Sequence, residues 1–334
     1  MAIISNDRGQ DIQRILVIRR DNIGDLICTT PLLQTLRHHY PHAWIGVLAN
    51  QYNAPVLQGH PAVDDVLAYQ KAKHRAPGIS RWSVWWATAR LLGQLRLKGV
   101  DLAIVASSGG ERFARLVGAR RTIADKPTGR HEVENCMALL APLGITDSPG
   151  PVSIHTDAAC RDRMAQRLPS GFWGPVLGVH LSARKPSQRW PEDRFAELIR
   201  RLLANGVGVM LLWAPGSAAD PAHPGDDEKA AAVRARVGDA TAALAAVATT
   251  TLPELVAALS LVDGMVCADG GAMHLAAGLG KPVVALFGGS DATRWHPWGV
   301  PYRVLQPPSR EVVDVSLDDV LAAACELFAI TNSG

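Results

Sequence analysis

Two short stretches carry residues whose types and spacing could do chemistry. The first is Arg19-Arg20-Asp21-Asn22-Ile23-Gly24-Asp25, where a glycine lets the chain turn and a carboxylate follows at a helix start. A carboxylate so placed serves either as general base toward a substrate hydroxyl or as a cap for free amides at the positive end of the helix dipole. The local pattern leaves both readings open. The second is Val266-Cys267-Ala268-Asp269-Gly270-Gly271-Ala272-Met273-His274, a strand, a glycine pair and a helix. Amides exposed at a helix start suit a phosphate, so a nucleotide diphosphate could be held there without a metal. The plainer alternative is a tight strand–helix turn capped by Asp269, with His274 an ordinary helix histidine. No G-x-G-x-x-G follows the opening strand, which argues against a dinucleotide-dependent dehydrogenase.

Both stretches need elements to hold them. Residues 15–18, 44–48 and 102–105 are short apolar runs that read as buried parallel strands. Between the first two, Leu26, Ile27, Leu32, Leu33 and Leu36 recur at helical spacing until Pro41 ends the helix. The second half repeats the pattern, with strands at 176–180, 208–213, 264–267 and 282–287 and a helix over about 191–205. The alternation predicts an α/β protein with a doubly wound sheet in each half. A length of 334 residues suits two domains, at about 100–200 residues each. The expected boundaries are 1–155, a linker at 156–174 containing a short amphipathic helix, and 175–334, with the last helix free to pack back on the first domain.

Composition narrows the class. The chain is 48% hydrophobic and 19% charged, as a folded globular protein is. Its net charge of +3 comes from 34 basic and 31 acidic residues without a like-charged run, which argues against nucleic acid as the partner. The five cysteines are scattered and form no CxxC pair, which argues against a disulfide framework or a zinc site. Residues 1–14 lack a signal-peptide core, and no apolar run is long enough to span a bilayer. The expectation is a soluble, cytoplasmic protein, at most peripheral at the inner face of the cytoplasmic membrane.

Taken together, the two stretches resemble the heptosyltransferases, the family-nine glycosyltransferases of lipopolysaccharide core assembly. The resemblance rests on Gly24-Asp25 followed by Thr29-Thr30-Pro31-Leu32-Leu33, then on Asp269, Gly271, His274-Leu275-Ala276-Ala277, Gly280-Lys281-Pro282 and Phe287-Gly288. Arg189-Trp190-Pro191 is a weaker third match. The resemblance implies a GT-B fold of two facing Rossmann-like domains with parallel sheets. It implies inverting transfer of a sugar, a heptose, from an ADP-sugar to a saccharide or lipid-linked saccharide acceptor, with no metal and no other cofactor. Asp25 matches the family's catalytic base. Asp269, Gly270, Gly271 and His274 match its nucleotide-sugar motif. Ser182 and Lys185 fall in its phosphate-binding loop, and Thr250 and Leu252 in the stretch that meets the base. Two departures stand out: Gly270 replaces a Thr or Ser, and Gln188 replaces a phosphate-binding Lys, for which Lys185, Arg184 or Arg189 could substitute.

On the acceptor side the candidates are Asn22, Arg81, Arg112 and Arg115, with Lys71, Lys73, His74 and Arg75 just before Arg81. Trp82, Trp85, Trp86 and Ala89 share one helix face, a spacing expected of core packing; the alternative is a face turned to carbohydrate or lipid. Trp295 and Trp298 are expected to fix a loop rather than close a cleft. Competing functions are a sugar-nucleotide epimerase, transfer to a protein or small natural product, and nucleotide-sugar binding without catalysis.

Overall fold

Short branched runs alternating with helices fold here into two parallel sheets. The computed structural model describes residues 12–70, 80–124, 128–169, 175–220, 224–238 and 243–330. The chain divides into two compact units, Met1–His155 and Thr156–Gly334. The first contains β1 (Arg14–Ile18), α1 (Ile23–Ile27), α2 (Thr30–His39), β2 (Trp44–Asn50), β3 (Asp65–Tyr69), α3 (Arg81–Lys98), β4 (Leu102–Val105), α4 (Glu111–Val117), β5 (Arg121–Ile123) and α5 (Glu132–Met137). The second contains α6 (Ala158–Ala165), β6 (Val176–His180), α7 (Glu192–Ala204), β7 (Gly208–Trp213), α8 (Asp227–Val237), β8 (Leu244–Ala248), α9 (Leu252–Ser260), β9 (Gly264–Ala268), α10 (Gly271–Gly278), β10 (Val283–Leu286), α11 (Ala292–Trp295), β11 (Tyr302–Leu305) and α12 (Leu317–Phe328).

The strand orders are β3-β2-β1-β4-β5 and β11-β10-β9-β6-β7-β8. In each unit the first strand lies between its successor and a later strand: Ile15 pairs with Ile45 of β2 and Leu102 of β4, and Leu177 with Val209 of β7 and Gly264 of β9. The winding therefore reverses beside β1 and beside β6. Loops leaving the carboxyl ends of strands at such a reversal diverge and open a crevice, where ligands bind in this architecture.

The central strands are buried along their length save for Arg14 at the start of β1, and each buried Leu or Ile contributes roughly 1.5–3 kcal/mol. Four further strands, β3, β5, β8 and β11, occupy the sheet edges. The helix expected over 26–36 is broken into α1 and α2. Pro31 lies in the first turn of the second, and the Thr30 hydroxyl donates to the Ile27 carbonyl (2.7 Å) that the proline cannot serve. The stretch expected to be a linker holds α6, capped by Asp157 accepting from the Cys160 amide (2.6 Å) and packed on α9 of the second unit. α12 packs on α7, β10 and β11 of its own unit, because Val320, Leu321 and Ala324 on its apolar side fill that unit's core.

Trp190 and Phe195 anchor the same core edge-to-face at 4.9 Å, and the indole N–H donates to the Val315 carbonyl (2.9 Å). Among the described residues no helix is long and apolar enough to cross a membrane.

Candidate active site

The loop leaving β1 is built around a buried arginine. Arg19 is 0% exposed, and its Nη2 donates to Asp25 Oδ1 (2.7 Å) and to Glu132 Oε1 (2.6 Å). Its Nε donates to the Asp25 carbonyl (3.2 Å), and its Nη1 to the Ala106 carbonyl at the end of β4. Burial works to lower the Arg19 pKa, but Cys136, Asp25, Glu132 and Asp21 outweigh it and hold the guanidinium above the ordinary arginine range. Asp25 Oδ2 accepts from the amide (3.1 Å) and the side chain (3.0 Å) of Asn22, which closes the first turn of α1. The carboxylate therefore caps its helix and is gripped by a cation while staying 15% exposed. Capping and catalysis are not exclusive here. The preceding backbone is pinned from β2: Asn50 donates to the carbonyls of Arg20 (3.0 Å) and Asp21 (2.8 Å), and Asn53 to those of Asp21 and Asn22 (both 3.3 Å).

Beside this loop a cavity of about 1010 Å³ is lined by Arg20, Tyr69, Arg81, Trp82, Trp85 and Phe113, among others. The Arg20 guanidinium lies 4.4 Å from the Phe113 ring centroid and donates to the Ser108 carbonyl (3.0 Å). Arg112 and Arg115 stand exposed on α4. Lys71, Lys73, His74 and Arg75 lie outside the described residues. The tryptophan face is not core. Trp82, Trp85 and Trp86 are 74%, 56% and 64% exposed, because α3 turns its other side, Val84 and Leu95, to the sheet.

In the second unit the loops after β6, β9 and β10 converge. Asp269 follows β9, and its Oδ2 accepts from the Gln188 side-chain amide (2.7 Å), which also reaches Ser290 Oγ (3.3 Å). Burial raises the Asp269 pKa, opposed by Ser290, the charge of Lys185 and Gln188. Gln188 is thus a buried strut and not a free hand toward a phosphate, while Lys185 is exposed and lies within electrostatic reach of Asp269. Arg189 Nε donates to the Ala183 carbonyl (3.1 Å), and Ser182 Oγ accepts from the Ala214 amide (2.9 Å), so both brace the loop. Gly288 is required for the same assembly: a Cβ there would sit 2.4 Å from the Ser187 carbonyl.

Gly270 precedes α10 in extended backbone, and a Cβ on it would meet nothing within 4 Å. A side chain would fit where this chain has none. Gly271 opens α10, and His274 is buried within it, edge-on to Trp295 at 6.1 Å. Trp298 stacks on His296, itself stacked on Tyr302 at 4.9 Å, so these rings fix the loop. Thr250 and Leu252 lie at the end of β8, where Glu254 Oε2 accepts from the Thr250 amide (2.7 Å) in a capping box starting α9. Three strand spacings separate β8 from β9 in this sheet, about 14 Å at the usual interval.

Sequence reasoning missed the partners that act through space. Arg19 was read only as part of a loop; Glu132, Asn50, Asn53 and Ser290 were not singled out. Nor was Lys229, whose Nζ donates to the Leu181 carbonyl (3.3 Å) beneath the β6 loop and whose pKa burial lowers to about 8. Among the described residues no group of three or more His, Cys, Asp or Glu is placed to hold a metal ion.

Two Rossmann-like sheets, one with an ion-paired carboxylate at its winding reversal and the other with a glycine-started helix there, define the GT-B class of α/β enzyme. The family model described as glycosyltransferase family 9 (heptosyltransferase) matches residues 102–317, and the chain belongs to that family and is a glycosyltransferase. It is 26% identical over 297 residues to lipopolysaccharide heptosyltransferase 3 of Escherichia coli K12, covering 82% of each chain. It is 28% identical over 306 residues to lipopolysaccharide heptosyltransferase 2 of Salmonella typhimurium, covering 83% of each. In fold it is similar to a family 9 glycosyltransferase from Veillonella parvula (TM-score 0.80, 20% identity, 96% of this chain and 99% of the other). It is also similar in fold to E. coli ADP-heptose lps heptosyltransferase II (TM-score 0.75, 22% identity, 95% and 98%).

Proposed function

We propose that this transferase moves a heptose from an ADP-sugar to a hydroxyl of a lipopolysaccharide-type saccharide, with inversion, without a metal, and with Asp25 as general base. The carrying observation is the Asp25 carboxylate, gripped by Arg19 and Asn22 yet 15% exposed, on a loop that shares Arg20 and Asp21 with a cavity rich in aromatic and arginine side chains. Aromatic faces and guanidinia suit an anionic saccharide. The acceptor oxygen attacks the anomeric carbon and its proton passes to Asp25 as the bond to the diphosphate breaks. The charge left on ADP is met by the amides at Gly270 and Gly271 and by Lys185. Lys185 thereby takes the place of the lysine missing at 188, since Gln188 is occupied by Asp269. The base lies toward Thr250 and Leu252, across the same sheet edge. The sheet topology supports this, because the loops after β6, β8 and β9 all leave carboxyl ends of parallel strands.

The test is ADP release from ADP-heptose with lipopolysaccharide-core acceptors. Asp25→Ala is expected to suppress turnover by at least a hundredfold while calorimetry shows donor affinity unchanged. Full activity in that variant removes Asp25 as the base. Preference for a uridine or guanosine sugar overturns the donor, and tight ADP-sugar binding without turnover on any acceptor favours a binding protein.

A further inference from the structure

The described residues expose seven large apolar side chains, and five of them, Trp82, Trp85, Trp86, Leu97 and Leu116, are on α3 and α4, which pack together. Successive helix residues turn by about 100°. Trp82, Trp85, Trp86, Gly93, Arg96 and Leu97 therefore share one side of α3, opposite the buried Val84 and Leu95. The indoles pack on one another, Trp85 with Trp86 at 4.9 Å and Trp82 with Trp85 at 6.4 Å, and not on the sheet. The charge on this helix has one sign: Arg81, Arg90, Arg96 and Lys98, with no acidic residue in its 18 positions. On the neighbouring helix Arg112 and Arg115 are exposed as well, against a single acidic residue, Glu111. The rest of the chain is close to neutral, so this is a local field on a local apolar face.

We propose that the outer face of α3, with the adjoining edge of α4, docks this protein on an anionic lipid bilayer. The indoles would lie at headgroup depth and the arginines against lipid phosphates. Charge decides the occupant. An acid-free, arginine-flanked apolar face is complementary to an anionic surface, and self-association through it would bring like charges together. Tryptophan is also the residue that favours a membrane–water interface, where an apolar ring and a polar N–H are both satisfied. Arg81, Trp82 and Trp85 belong at once to this face and to the cavity beside the Asp25 loop. An acceptor held by a lipid tail would therefore be presented at the cavity mouth; that corollary rests on the proposed transfer reaction, whereas docking does not.

The experiment is flotation of the full chain with phosphatidylcholine vesicles, with and without one third phosphatidylglycerol, at low and high salt, alongside tryptophan quenching by brominated lipid. Binding is expected only with the anionic vesicles, weaker at high salt, with a blue-shifted and quenched emission. Trp86→Ser with Leu97→Gln, both outside the cavity lining, should reduce partitioning at least tenfold while melting temperature and ADP affinity stay those of the parent. Arg90→Glu should do the same and flatten the salt dependence, since an attractive charge is replaced by a repulsive one. The proposal fails if anionic vesicles do not bind the protein, or bind the double variant equally. It also fails if sedimentation velocity shows a dimer that Trp86→Ser converts to monomer. Vesicle binding without sugar transfer would leave docking intact and count against the transfer reaction alone.

Discussion

Replacing Glu132 by glutamine tests whether the cluster after β1 is a paired unit. Arg19 and Glu132 are both 0% exposed and 2.6 Å apart, and Arg19 also holds Asp25 at 2.7 Å. Glutamine keeps the volume and one acceptor oxygen, so no cavity forms; what is lost is one of three negative charges paired with a buried cation. Breaking a buried pair costs about 3–5 kcal/mol. With Asp25 still in place and one hydrogen bond retained, about 2–3 kcal/mol is expected. At about 2–4 °C per kcal/mol for a unit of this size, the melting temperature should fall by about 4–12 °C. Arg19→Met takes the Arg19 cation from Glu132, Asp25 and Asp21 together and should cost more, about 3–5 kcal/mol. Combining Arg19→Met with Glu132→Leu removes both charges and should regain most of that loss, as apolar replacement of buried pairs often does. The double variant should nevertheless stay inactive, since Asp25 has lost its anchor. Urea denaturation followed by circular dichroism gives these stabilities, and Glu132→Leu alone closes the double-mutant cycle. A Glu132→Gln protein within about 0.5 kcal/mol of the parent, or a double variant no more stable than Arg19→Met, would refute the reasoning.

Further expectations follow from the second unit and from the buried histidines. Gly288→Ala forces a Cβ toward the Ser187 carbonyl at 2.4 Å, so it should cost about 1–3 kcal/mol in denaturation and weaken ADP binding by shifting the Gln188 turn; unchanged affinity would separate that turn from the donor site. Gly270→Ser has open space and extended backbone, so calorimetry should show ADP bound about tenfold more tightly, one charged hydrogen bond being roughly 1.5 kcal/mol, and equal or weaker binding counts against a phosphate there. His60 and His180 both have pKa values lowered to about 4, by burial first and then by His155 and Lys229 respectively, although a backbone hydrogen bond at Ser182 acts the other way on His180. The unfolded chain takes up protons first, so this stability is whole above about pH 6.5 and is lost as pH falls toward 4. Denaturation midpoints flat from pH 7 to 4.5 would contradict it.

The sequence showed the strands that are covered on both faces and missed those that are not. β1, β2, β4, β6, β7, β9 and β10 are near-continuous apolar runs because helices bury both their sides. β3, β5 and β11 lie at sheet edges and each carries a charged residue that breaks the apolar run, while the edge strand β8 is apolar but alanine-rich and poor in the branched residues that mark the others. The tryptophans of α3 misled for a related reason: helical spacing reports a face, and only the packing of Val84 and Leu95 says which face is inward. At the site, strand–turn–helix signals located Asp25 and Asp269, whose neighbours along the chain carry the pattern. Their partners lie far along the chain: Glu132, which shares Arg19 with Asp25, leaves no local trace, and Gln188 is visible as a motif residue but not as the partner of Asp269. Part of the long signature also has a purely structural cause. Gly280 has φ +73°, and the Lys281 amide bonds back to the Ala276 carbonyl (3.0 Å), closing α10 before Pro282 leads into β10.

The four edge strands that escaped the sequence have a bearing on how the protein behaves in a crowded solution. An open sheet edge is a row of unpaired amides and carbonyls, ready to template a strand from another molecule. Here β5 is only three residues long, with the Arg121 guanidinium tied to the Pro142 carbonyl (2.7 Å). β3 starts at Asp65, whose carboxylate takes the Trp44 indole N–H (2.7 Å) and the Lys98 ammonium (3.2 Å). β11 presents Arg303, held by Glu326. These short or charged borders make β3, β5 and β11 poor templates for fibrillar or amorphous aggregation, and leave β8, five apolar residues without a charge, as the one unguarded edge among the described strands.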